Sequence, residues 1–222
     1  MSPSRARVRS GLLNAGLIVV TMLAGAAVVG NFGRRDDPYV ATPVDGWQDL
    51  AAVGHRQGPS DAPVTIVVFS DFYCPFCRLA AEDLAELRRS YQDNLAIVYR
   101  HFPVSGVEAI DVAQASECAA TEGLFFPFHD AVFATDSVDL ARTFGDIMSR
   151  RDREPLSLEQ CLADTTSLAM VRRDALVARD LGLTMTPSFL INHLKLQGYP
   201  GTARIEGLVK GVLRETTQDS PQ

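Results

Sequence analysis

Lysine is almost missing from this chain: of its 21 basic residues only Lys195 and Lys210 are not arginine. Such a bias follows the base composition of a genome, and no function is drawn from it. Positive charge is itself scarce. The formal net charge is −6, and because residues 1–59 hold six Arg against four acids, the rest carries 15 basic and 23 acidic residues, or −8. An acidic body argues against nucleic acid as a partner. Cysteine is scarce too, with four in the chain. Cys118 and Cys161 stand alone with no His beside them, so the second close pair or Cys/His cluster that a zinc site needs is absent. His55, His101 and His193 have no partner visible in sequence; neither a metal nor any other cofactor is expected. No internal repeat or low-complexity tract occurs. The 222 residues, 46% hydrophobic, fit one ordinary globular domain behind an N-terminal appendage.

That appendage has a direction. Arg5, Arg7 and Arg9 precede an uncharged stretch from Gly11 to Gly30, closed by Arg34 and Arg35. A helix of this length reaches about 30 Å, enough to cross a bilayer. The expectation is a cytoplasmic n-region at 1–10, a transmembrane signal-anchor at 11–30 with everything beyond it extracytoplasmic, and a linker at 31–59. Ala24-Gly25-Ala26 leaves a cleaved signal, and a soluble exported body, as the alternative. Residues 31–59 hold Gly33, Pro38, Pro43, Gly46, Gly54, Gly58 and Pro59 without periodicity, as linkers do. The single tryptophan, Trp47, and Tyr39 are expected to be partly buried against the first strand.

The densest chemical signal is Cys74-Pro75-Phe76-Cys77. A two-residue gap lets two thiols on one helical turn close into a disulfide and reopen. Before the pair, Val64 to Ser70 is a β-rich apolar run; after it, Leu79 to Tyr91 has helical periodicity. The pair therefore sits at a helix start, where free main-chain N–H groups and the positive dipole end favour a thiolate. Cys74 is the expected nucleophile. Cys77, one turn in, is placed to attack a mixed disulfide on Cys74. Pro75 suits the first helical turn, which tolerates a missing N–H. In an exported domain such a pair acts on exported substrates.

Leu95 to Phe102 reads as a second strand, making a βαβ unit with a right-handed crossover. Helical patterns follow at 107–121, 125–135, 138–149, 157–164 and 166–181. Strand character returns at 188–192 and 193–197 around a tight turn, before a closing helix from about 202 to 214. The order is β-α-β, helices, β-β-α, an α/β fold.

With FSDFYCPFCR at residues 69–78 and MTPSFLIN at 185–192, that order resembles the DsbA-like thiol-disulfide oxidoreductases of the thioredoxin superfamily, over roughly residues 60–215. The resemblance implies a thioredoxin fold spanning 60–222 with a helical insertion at about 106–165. It also implies a cis bond at Thr186-Pro187 beside the active pair, with Thr186, Pro187, Pro75 and Phe76 forming the substrate-binding edge. Some relatives carry an extra bridge, and in an exported domain Cys118 and Cys161 are expected to form a structural disulfide, two buried free thiols or a second redox relay being the alternatives. Asp71, three residues before Cys74, is a candidate for proton transfer or for turn duty; the family's buried acid falls on apolar Val68 here, so that role does not carry over. His129, in a segment (FPFHDAVF, 126–133) similar to one in these relatives, reads as a packing residue. At the hairpin, His193 stands where the family usually has Gly, so a positive φ is expected of it.

Direction is less determined. Phe76 supplies neither proton nor positive charge, which speaks against an extreme oxidant, whereas the compartment favours oxidation, the preferred reading. A reductase or an isomerase stays open; with no dimerisation segment in evidence, a monomer is expected. The expected partners are exported proteins with thiols or disulfides and, by family analogy, a membrane redox partner such as a quinone reductase. The rival from another class is a tethered binding module that captures copper or a peptide through Cys74 and Cys77 without turnover.

Overall fold

The structure is a computed structural model that describes residues 39–150 and 157–218. The expected n-region and apolar span lie outside the described residues, among which no helix is long and apolar enough to cross a membrane. In chain order the elements are β1 (Thr42–Pro43), α1 (Trp47–Ala51), β2 (His55–Gln57), β3 (Val64–Ser70), α2 (Pro75–Tyr91), β4 (Leu95–His101), α3 (Val107–Thr121), α4 (Phe125–Phe133), α5 (Leu140–Met148), α6 (Leu158–Ala163), α7 (Thr165–Asp180), β5 (Ser188–Ile191), β6 (Leu194–Gln197) and α8 (Thr202–Gln218).

Six strands form one mixed sheet in the order β1-β6-β5-β3-β4-β2. β3 and β4 are parallel, in register from Val64 opposite Leu95 to Ser70 opposite His101, and the other pairings are antiparallel. All seven residues of β3 and all seven of β4 are buried. This is why both read as near-continuous apolar runs: a parallel pair in mid-sheet is covered on both faces. Alternate residues then serve opposite cores. Ile66, Val68, Ile97 and Tyr99 meet Ala80 and Leu84 of α2, Ile205 and Val209 of α8, and the aromatics of α4. Val67, Phe69 and Val98 meet Ala51 of α1 and Ala175 and Ala178 of α7 on the other side. Burying each such aliphatic side chain contributes on the order of 2 kcal/mol.

Among the described residues five helices, α3 to α7, intervene between β4 and β5, as the patterns predict. α3 is buried along most of its length, and its Gln114 side-chain nitrogen lies 2.9–3.1 Å from the main-chain oxygens of Cys161, Leu162 and Asp164, donating into the carbonyls where α6 ends. α7 is held to the sheet by a buried ion pair: Asp174 accepts from Arg100 and from the His101 N–H. Cys118 of α3 and Cys161 of α6 are disulfide-bonded, with their Cα atoms 5.9 Å apart.

Two local expectations change. Part of the segment expected as linker belongs to the folded domain: β1 pairs with β6, α1 lies against the second core, and β2 pairs with β4. Trp47 is partly buried there, against the core that Val67 and Phe69 share. Two- and three-residue strands are too short to show a period, and Gly54 and Gly58, which suggest a linker, serve close approach instead. Gly54 has φ +116, and a Cβ there would sit 2.5 Å from the Tyr99 carbonyl oxygen. At the hairpin, Asn192 and not His193 takes positive φ (47°). Its side chain reaches back to β3, accepting from Thr65 N–H (2.7 Å) and donating to the Pro63 carbonyl (3.0 Å), which offsets the left-handed backbone.

The bridge closes a loop across 43 positions, worth roughly 4 kcal/mol in the chain-entropy account. A Cys118→Ala/Cys161→Ala protein is expected to unfold about 10 °C lower by calorimetry. An unchanged midpoint would show that the bridge constrains nothing the helices do not already hold.

Candidate active site

The reactive end lies where β3 stops. Ser70 is the last residue of the strand, and Asp71, 1% exposed, turns the chain. One Asp71 carboxylate oxygen accepts from Tyr73 N–H (2.8 Å) and the other from Val104 and Ser105 N–H (2.7 and 2.8 Å). The loop after β3 is thereby tied to the loop after β4. Both oxygens accept main-chain N–H groups, the geometry of the turn duty that is one of the two readings of Asp71. Its own N–H points at the Cys77 sulfur, 3.4 Å away.

Cys74 is the N-cap of α2 with extended backbone (φ −81, ψ 119), and Pro75 occupies the first turn. Its carbonyl accepts from Cys77 N–H at 3.0 Å, which sets the two cysteines one above the other. The two thiols are reduced and differ sharply in exposure: Cys74 is half-buried, Cys77 only 1% exposed. Across the site the Thr186-Pro187 bond is cis, and the Thr186 carbonyl oxygen lies 3.3 Å from Cys74 Sγ. Phe76 is 56% exposed, and Tyr73, Val104 and Met185 are exposed as well, giving the site apolar flanks.

Electrostatics separate the thiols further. A hydrogen bond from the Cys77 thiol holds Cys74 down from an ordinary 9.0 to about 6, helped by Thr186 and by the Cys77 and Phe76 N–H groups and opposed by burial. Burial pushes the Cys77 thiol well above its ordinary value, reinforced by the hydrogen bond and the charge of Cys74, while Ser70 and the Asp71 N–H pull weakly the other way. A single thiolate at neutral pH, half accessible above a protonated partner, is the arrangement that disulfide exchange requires.

Two features escape the linear reading. His55 and His101, apparently unpartnered in sequence, place Nε2 2.8 and 2.7 Å from the same Glu117 oxygen. Burial raises the Glu117 carboxyl, but the hydrogen bonds from His101 and His55 prevail and hold it at about 2. These are hydrogen-bond separations, and the trio clasps β2, β4 and α3 together. Strand parity was the available signal, since 97, 99 and 101 share a face. The second is a cavity of about 160 Å³ under α2, lined among others by Ser70, Cys77, Tyr99 and His129. Nothing in the spacing of those residues brings them together.

The family described as thioredoxin matches residues 51–211, and the chain belongs to it. Among curated relatives, a Na(+)/H(+) antiporter NhaA 1 of Mycobacterium sp. (strain KMS) is 32% identical over 200 residues, covering 86% of this chain and 31% of that protein. The chain thus spans about a third of the length of the curated relatives it matches. Among solved structures, a periplasmic thioredoxin-like protein from Salmonella enterica serovar Typhimurium superposes with a TM-score of 0.65 at 20% identity, over 78% of this chain and 99% of that one. The alpha-DsbA1 of Wolbachia pipientis gives 0.62 at 21% identity, over 73% and 92%. The fold is the DsbA-like thioredoxin fold with a helical insertion.

Alkylation of the reduced protein by iodoacetamide is expected to rise through an inflection near pH 6, modify Cys74 alone and level off about one unit higher. An inflection near the ordinary thiol value of 9.0 would contradict the stabilised thiolate.

Proposed function

We propose that this chain is an exported, membrane-tethered thiol-disulfide oxidoreductase that acts on cysteines of extracytoplasmic proteins, with oxidation as its net direction. The observation that carries the reading is the unlike pair of thiols. In the oxidising cycle the Cys74–Cys77 disulfide is attacked at Cys74 by a substrate thiolate, forming a mixed disulfide and releasing Cys77. A second substrate thiolate then breaks that bond, leaving substrate oxidised and both cysteines reduced. In the reverse cycle Cys77 closes on Cys74 and expels reduced substrate. The Thr186 main chain and the exposed Tyr73, Phe76, Val104 and Met185 suit an extended polypeptide carrying apolar side chains.

Direction follows from which redox state the protein stabilises. A Cys74 thiol held near 6 is ionised at pH 7, and that thiolate exists only in the reduced form, so the reduced form gains and the disulfide becomes the better oxidant. Phe76, uncharged, adds nothing to this, which keeps the expected potential short of the extreme.

Arg5, Arg7 and Arg9 ahead of the uncharged 11–30 stretch support a tether with the domain outside, and the periplasmic label of the Salmonella protein agrees with that side. Reoxidation then falls to a membrane redox partner. The antiporter name belongs to proteins of which this chain spans under a third, and ion transport is not proposed for it.

Incubated with an oxidised unfolded secretory substrate, the reduced Cys77→Ser protein is expected to accumulate a mixed disulfide at Cys74, whereas Cys74→Ser forms none. Equilibration with glutathione should give a potential above about −180 mV; a value near thioredoxin's, about −270 mV, would reverse the proposed direction.

A further inference from the structure

Ring closure needs Cys77 as a thiolate, yet Cys77 is buried and its thiol holds its proton tightly. The outer route is obstructed at that moment, because Cys74 carries the substrate. Beneath Cys77 a second route exists. The 160 Å³ cavity reaches it between α2, the sheet and α4, with room for several water molecules. Two wall atoms, Tyr99 Oη and Arg88 Nε, are buried without a hydrogen-bond partner of ordinary geometry among the described residues, as befits a wetted cavity. Ser70, also on the wall, acts on both Cys77 and Tyr99.

The cavity holds few groups able to accept a proton near neutrality. Val68 is apolar, Arg88 and Arg89 are cations, and the Asp71 carboxylate lies elsewhere with its main-chain donors. His129 and Asp130 remain. His129 Nδ1 lies 2.8 Å from Asp130 Oδ1, and Asp130 is 70% exposed and faces solvent. The carboxylate fixes the proton on Nδ1 and leaves the Nε2 lone pair free. Burial keeps the imidazole below its ordinary 6.5 against the pull of Asp130, with His101 and His55 also pressing it down, so it is neutral at pH 7 and able to accept. Its ring stands edge-on to Tyr99, centroids 5.0 Å apart.

We propose that His129 accepts the Cys77 proton through water in this inner cavity, and that Asp130 stabilises the resulting imidazolium and passes the proton to solvent. The proposal rests on the disulfide-exchange reading above. In the step itself Cys77 S–H gives its proton to the water–His129 path, and the thiolate attacks Cys74 Sγ. The Cys74–Cys77 bond forms as the Cys74–substrate bond breaks, and the departing sulfur keeps the electron pair and takes a proton from solvent. No outside oxidant enters. When the disulfide is opened, the same path returns the proton to Cys77. The charged neighbours act in opposite senses: Arg88 and Arg89 of α2 and the His55–His101 pair disfavour imidazolium, and Asp130 favours it, with Glu117 held between the two histidines. The charge on His129 is therefore short-lived, as a relay requires.

The test is rapid mixing of the reduced full chain with oxidised glutathione, with acid quench and mass spectrometry separating mixed-disulfide formation on Cys74 from closure by Cys77. His129→Gln is expected to slow closure at pH 7 by about tenfold or more, leave the first phase within about twofold, and lose its deficit towards pH 9, where hydroxide replaces the imidazole. Asp130→Asn, at an exposed position that spares the fold, is expected to slow closure about threefold and move its pH inflection lower. Both phases slowed alike at every pH, or closure unchanged in both variants, overturns the relay. Failure of the unmodified chain to form any mixed disulfide at Cys74 overturns the exchange reading instead.

Discussion

The carboxylate of Asp71, buried where β3 gives out, gathers three main-chain N–H groups from two loops. A buried charge is tolerable only when so compensated, and the compensation has a geometric by-product. It brings the chain after β4 against the turn after β3, and it leaves Cys74 in extended backbone at the start of α2. From that placement follow the first-turn N–H groups near Cys74, the vertical stacking of Cys77 one turn in, and the Asp71 N–H aimed at the Cys77 sulfur. The chemistry of the thiols is thus inherited from the ordering of two loops.

What distinguishes the two sulfurs is mostly water. Cys74 keeps part of its surface exposed and is stabilised as an anion by donors; Cys77 is buried and is raised by the same neighbour that is lowered. Identical functional groups three positions apart therefore divide into an accessible, readily ionised thiol and a held one without any charged side chain between them. The uncharged Phe76, outward-facing, is free to contact a partner instead of tuning the pair.

The elements with long periods were legible: the β3 and β4 runs, α2, the five intervening helices and α8 all appear close to where their patterns put them. The cysteine pair also sits at a helix start, where its spacing before an amphipathic run puts it. The segment 42–57 was not legible, since strands of two or three residues leave no period and Gly54 resembles a linker residue until its proximity to the Tyr99 carbonyl is known. The same limit hid Glu117 between His55 and His101 and the partners of Asp71: groups meeting across 16 to 62 positions are joined by topology alone. At the hairpin the left-handed residue was misplaced by one, because what decides it is the reach of the Asn192 side chain to Pro63 and Thr65.

The short N-terminal strands deserve a different reading from stability. The segment that supplies β1 at one margin of the sheet packs against the second core as α1 and supplies β2 at the other, so one stretch of chain furnishes both outermost strands, of two and three residues. A long open edge of main-chain amides invites strand addition from any extended polypeptide. With both margins reduced to such short strands, the sheet presents little edge for a foreign strand to extend, which guards it against edge-to-edge aggregation.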